Sequence, residues 1–138
     1  MPRYCIGLLF LISLSAACET DAVGVADCRA IEDARCQAAA PCGFPDVEEC
    51  QRYARDHCLH GLPAEAPSPT DVDACVQDLA TAGECAGSLG PDTLPDACAP
   101  PLSTDGSAAS ICDVINRPER ATACAFLLGT TDEDAEGS

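Results

Sequence analysis

The stretch PDVEECQRYARDHCL (residues 45–59) decides the fold. Pro45 is followed by Asp46, Glu48 and Glu49, acids placed where the N-terminal end of a helix dipole favours them. Arg52 and Arg55 come next, with Glu48 four residues before Arg52, a pairing that supports a helix. Val47, Cys50, Ala54 and Cys58 share one face at helical spacing, and Gly61 stops the run. The reading is a helix that carries two cysteines on its apolar side.

The same cysteine spacing recurs upstream. Residues 24–39 are Ala-rich, line up Cys28, Ile31, Ala34 and Ala38, and end before Pro41, which implies a second helix containing Cys28 and Cys36. Eight helical residues rise about 12 Å. A disulfide needs about 4.4–6.8 Å between Cα atoms. Neither Cys28 with Cys36 nor Cys50 with Cys58 can therefore close while helical. An antiparallel hairpin instead brings Cys36 to Cys50 and Cys28 to Cys58. This spacing is similar to that of the twin-cysteine hairpins of mitochondrial intermembrane-space proteins, which place nine residues between their cysteines. The resemblance is one of architecture.

Further helices are expected over 70–83, with Thr70 and Asp73 near its start and Val72, Cys75, Leu79 and Ala82 on one face; over 106–117 around Ile111, Val114 and Ile115; and over 118–128 from Pro118. Residues 61–70 and 87–106 hold three and four prolines and read as connections, the second with Cys98 inside it. "DVEEC" (46–50) and "DVDAC" (71–75) are similar, but the spacing after each differs. β-branched residues never alternate over a useful length, so no strand is expected. The fold class is all-α: a small disulfide-rich helical bundle of short helices and Pro-rich loops, one domain over residues 25–128.

Cysteine parity says more. Cys28, Cys36, Cys42, Cys50 and Cys58 precede the first Pro-rich stretch, and Cys75, Cys85, Cys98, Cys112 and Cys124 follow it. If all ten pair within the chain, an odd group on each side forces at least one bridge across. Cys42, in the hairpin loop, is the candidate for that bridge. Partners within the C-terminal half stay open.

The N-terminus starts with Arg3 and an apolar run from Cys5 to Leu14, followed by Ser15-Ala16-Ala17-Cys18. The run is too short to span a bilayer and has the layout of an export signal, giving a signal peptide over 1–17. Of the 12 cysteines, Cys5 leaves with the signal and eleven remain, an odd number, so setting Cys18 aside leaves ten for five bridges. Residues 15–18 resemble the box of bacterial lipoprotein signals, cut before a cysteine whose sulfur takes diacylglycerol; Leu14 stands one place earlier than that box has it. Lipidation of Cys18 is the expectation, with residues 18–24 as a tether and a membrane as partner through the anchor. The competing reading is a plain secreted chain whose Cys18 is left single or joined to another chain. The absence of Lys beside abundant Ala, Arg, Pro and Gly points to a GC-rich bacterial genome. Taken whole, the chain resembles the small cysteine-rich lipoproteins of myxobacteria, a family that implies location and no established activity.

From Cys18 onward, 23 acids face six arginines, a net charge of −17. That charge repels nucleic-acid phosphates and anionic lipid surfaces, so no nucleic-acid partner is expected. Phe44, Tyr53 and Phe126 are the aromatics of this part, and its apolar content is mostly Ala. A thin core of this kind relies on disulfides. The acidic tail, 129–138, reads as solvated and lacks the ligand spacing of a calcium loop.

Chemistry is sparse. His57 and His60, with Cys50 or Cys42, have the donor types of a zinc site, but disulfides explain those cysteines better in an oxidising compartment, and a helix C-terminus favours the two histidines anyway. Residues 86–90 (AGSLG) miss the spacing of a nucleophile elbow, no Cys-x-x-Cys occurs, and no Gly-rich phosphate loop follows a strand. The expectation is therefore no enzyme, no metal and no cofactor. The function expected is that of a lipid-anchored envelope protein with a structural or interaction role towards an envelope or extracellular protein. The alternative is a soluble secreted module, inhibitor-like or effector-like, that presents the Pro-rich loop 90–101.

Overall fold

The structure, a computed structural model, describes residues 24–62 and 67–128. The expected signal peptide, Cys18, most of the tether and the acidic tail lie outside the described residues.

Four α-helices form the domain: α1 (Val25–Ala38), α2 (Val47–His57), α3 (Pro69–Leu89) and α4 (Ile111–Asn116). Short 3-10 segments connect or extend them at Ala40–Cys42, Cys58–His60, Pro95–Ala97, Pro118–Arg120 and Thr122–Leu128. Among the described residues there is no strand, only an isolated antiparallel bridge between Thr104 and Ala121. The protein is an all-α disulfide-rich bundle.

α2 starts where its acids direct it: Asp46 caps the helix by accepting from the Glu49 N–H at 2.9 Å. α1 and α2 pack as a hairpin, and α1 also packs along the longer α3. α3 and α4 then share two buried clusters with their neighbours. One joins Ala38 and Ala39 to Ala82, Ala86, Leu102, Ile111 and Ile115. The other joins Ile31 to Val72, Leu79, Val114, Ala121 and the bridged Cys75 and Cys124. Both clusters mix residues from the two sides of the Pro-rich stretch, so the two halves form one folded unit.

Three expectations need correction. α3 begins earlier than Thr70 and ends later than Gly83. Its capping box is Ser68 with Asp71, whose backbone N–H groups and side chains satisfy one another, so Pro69 falls at the first helical position. The helix runs on to Leu89, taking in the first residues of the stretch expected as a connection. Within 106–117 only Ile111–Asn116 is helical. Asp105 folds the preceding chain into a turn by accepting from the Ser107 N–H at 2.8 Å, and Ser110 then caps α4. Over 118–128 the chain forms two 3-10 segments instead of one α-helix, because Ala121 between them is extended and bridges Thr104.

Gly83 is a packing position and not a stop. A Cβ built there would lie 2.8 Å from the Ala38 Cβ and 2.9 Å from its Cα, so α1 and α3 touch backbone to backbone. Gly83→Ala gains about 1 kcal/mol of helix propensity. Overpacking against a backbone that two disulfides hold in place typically costs about 1–3 kcal/mol. Crowding is expected to win, leaving the variant about 1 kcal/mol less stable in urea unfolding.

Candidate interaction surface

The ten cysteines from Cys28 to Cys124 form five bridges. Cys28 is bonded to Cys58 and Cys36 to Cys50, each pair with Cα atoms 5.6 Å apart, which staples α1 to α2 at two levels. Cys42 joins Cys112 at 5.4 Å, and this bridge alone among the five links the two cysteine groups. In the C-terminal half Cys75 pairs with Cys124 and Cys85 with Cys98. Five bridges in one small domain belong to an oxidising environment, extracellular or periplasmic.

His57 and His60 are both exposed and border a shallow cavity of about 410 Å³ with Glu32, Gly61, Leu62 and Glu119. Among the described residues, no three His, Cys, Asp or Glu side chains gather as a metal-binding group. Cys42 and Cys50, the sulfurs considered as their partners, are both oxidised.

Charged side chains elsewhere hold the fold. Arg120 donates to the Asp113 carboxylate and to the Ser107 carbonyl, each at 2.5 Å, tying the loop before α4 to the segment after it. Asp105 lies below the usual carboxylate range because the Ser107 hydroxyl and backbone N–H donate to it, with Arg120 adding to the effect. Asp33 accepts from Gln37 at 3.0 Å and from Gln51, a polar link between α1 and α2.

A further feature is an apolar groove of about 600 Å³ beside the α1–α2 hairpin, lined by Phe44, Pro45 and Tyr53 together with Arg35, Asp46 and Glu49. Gly43, in a left-handed conformation at φ 95°, turns the chain out of the Ala40–Cys42 segment. The Phe44 N–H then bonds back to the Ala39 carbonyl at 3.2 Å and leaves its ring at the surface. Glu49 and Tyr53 stand four residues apart on α2, away from the buried Ala54 and Cys58. Phe44 is 52% exposed and Tyr53 74%. Arg35 forms one wall: its guanidinium is 2.7 Å from the Glu32 carboxylate and 3.7 Å from the Cys50 sulfur.

This placement is costly for so thin a core. Burying a Phe stabilises a fold by roughly 1.5–3 kcal/mol, yet two of the three described aromatics stay outside while Cys, Ala and the branched aliphatic residues form the interior. The sequence held one sign of it, because Tyr53 falls off the Val47–Cys50–Ala54–Cys58 face. Phe44, in a loop without periodicity, gave none. No family model, curated protein or solved structure matches the chain.

Proposed function

We propose that the chain is an exported, lipid-anchored protein of a bacterial envelope, of the small cysteine-rich type that myxobacteria encode, whose cross-linked helical domain has a structural or protein-interaction role. The observation that carries this reading is the closed set of five bridges among Cys28 to Cys124. None of those ten sulfurs is left for Cys18, which follows Ser15-Ala16-Ala17 as a lipoprotein cysteine does. The location proposed is the outer membrane or periplasm. No catalytic step is proposed.

Intact mass of the chain exported from a Gram-negative host tests the anchor. The expected product begins at Cys18, carries a diacylglycerol-sized addition, and takes alkylating agent at ten cysteines only after reduction. A chain without lipid overturns the anchor and moves the location to secreted.

The loop 90–101 supports a second reading, the soluble binding module. Cys85–Cys98 ties its end to α3, and the Ile111 N–H bonds to the Thr93 carbonyl at 2.7 Å. The loop therefore holds its shape while Leu94 stays 54% exposed, which lowers the ordering cost of binding.

A further inference from the structure

The groove of Phe44 and Tyr53 has a chemistry that selects its occupant. Two exposed aromatic rings line it, and Asp46 and Glu49 stand on its rim. Arg35, the cation among its lining residues, is already paired with Glu32 at 2.7 Å. Aromatic faces attract guanidinium and ammonium groups, and carboxylates strengthen that attraction with charge-assisted hydrogen bonds. The surrounding molecule reinforces the preference, since residues from Cys18 onward carry a net −17.

We infer that this groove docks an extended basic segment of a partner protein, an arginine or lysine set beside an apolar side chain. The inference rests on the interaction role proposed above and names its surface and partner chemistry. The apolar neighbour packs on Pro45 and Phe44, and the cation lies over Tyr53 between Asp46 and Glu49. The chain's own tail, Asp132 to Glu136, has the wrong charge for this site. A second copy brings another −17 and is opposed by the same field. The Cys36–Cys50 bridge joins the two helices at the groove, so binding needs little rearrangement.

The test uses the exported chain with its five bridges verified by mass. The sequence has no Trp and two Tyr, of which Tyr4 lies in the expected signal peptide, so tyrosine emission reports on the groove, and Tyr53→Phe assigns it. The probes are a short acetylated peptide alternating Arg and Leu and its Glu–Leu counterpart. The Arg–Leu peptide is expected to give a saturable change that weakens as salt rises. Phe44→Ala is expected to weaken it about tenfold and Glu49→Gln about threefold. Both substitutions are at exposed positions, and circular dichroism checks that the helices persist. The proposal is overturned by an absent response, by an equal response to the Glu–Leu peptide, or by indifference to both substitutions. It is equally overturned if sedimentation shows self-association that Phe44→Ala abolishes. Failure here with an envelope protein still cross-linked through another face removes the groove and leaves the interaction role. Failure of both removes the role itself.

Discussion

Replacing Cys42 and Cys112 together by alanine is expected to cost about 4 kcal/mol. The bridge spans 70 residues of sequence. The other bridges shorten the effective loop in the unfolded chain, but not by much. The shortest remaining path runs from Cys42 to Cys75, across to Cys124 and back to Cys112, about 45 residues. Loop-closure entropy varies only with the logarithm of length, so the shortened loop still gives about 4 kcal/mol. Cys36–Cys50 and Cys85–Cys98, with separations of 14 and 13, give about 3 kcal/mol on the same basis. Urea unfolding without reductant should show a lower midpoint together with a steeper slope, because the less constrained unfolded chain exposes more surface. The transition should remain single. Ile31 packs in one cluster with Val72, Leu79 and Val114, so α1 cannot leave α3 without opening the shared core. Two separate transitions would show that the bridge, and not the shared core, unites the halves, and an unchanged midpoint would show that the bridge adds nothing to stability.

How far the sequence could be read depended on whether a regular ruler was present. In α1 and α2 the cysteines sit on helices, and a rise of about 1.5 Å per residue turns spacing into distance. A separation of eight positions between cysteines then excludes local closure and leads to the antiparallel pairing. Parity needs no geometry at all, and it led to a bridge across the Pro-rich stretch. In the C-terminal half neither tool applies. Cys98 lies in an irregular Pro-rich segment and Cys124 in a 3-10 segment, so their positions follow from tertiary packing alone. The end of α3 was misplaced for a related reason. Gly83 has the composition of a stop, but its role is set by Ala38, 45 residues away in sequence and invisible to any local pattern. The groove shows the same division, because Tyr53 could be placed off the buried face by periodicity and Phe44 could not.

Leu79→Ala is expected to remove about 4 kcal/mol, the upper half of the range for deleting a buried leucine. Leu79 is fully buried on α3 and meets Ile31, Val72 and Val114 in the second cluster. The cost of such a deletion depends on how far the surroundings collapse into the space left. Collapse is restricted here, because Cys75 and Cys124 border the site as one buried bridge and α1 is fastened to α2 by two others. Disulfides that stabilise the fold by restricting the unfolded chain therefore also make its core less forgiving. Leu79→Met keeps the volume and should cost less than about 1.5 kcal/mol, which separates cavity formation from any effect of changing the residue at all. The comparison is read from urea midpoints followed by far-ultraviolet circular dichroism with all bridges intact. A loss of only about 2 kcal/mol for Leu79→Ala would mean that the bridged framework relaxes as freely as an unbridged core. The groove should report the opposite of the core. It lies beside the Cys36–Cys50 bridge and contains no residue of the Leu79 cluster, so in folded Leu79→Ala the Arg–Leu peptide should bind as it does to the parent chain.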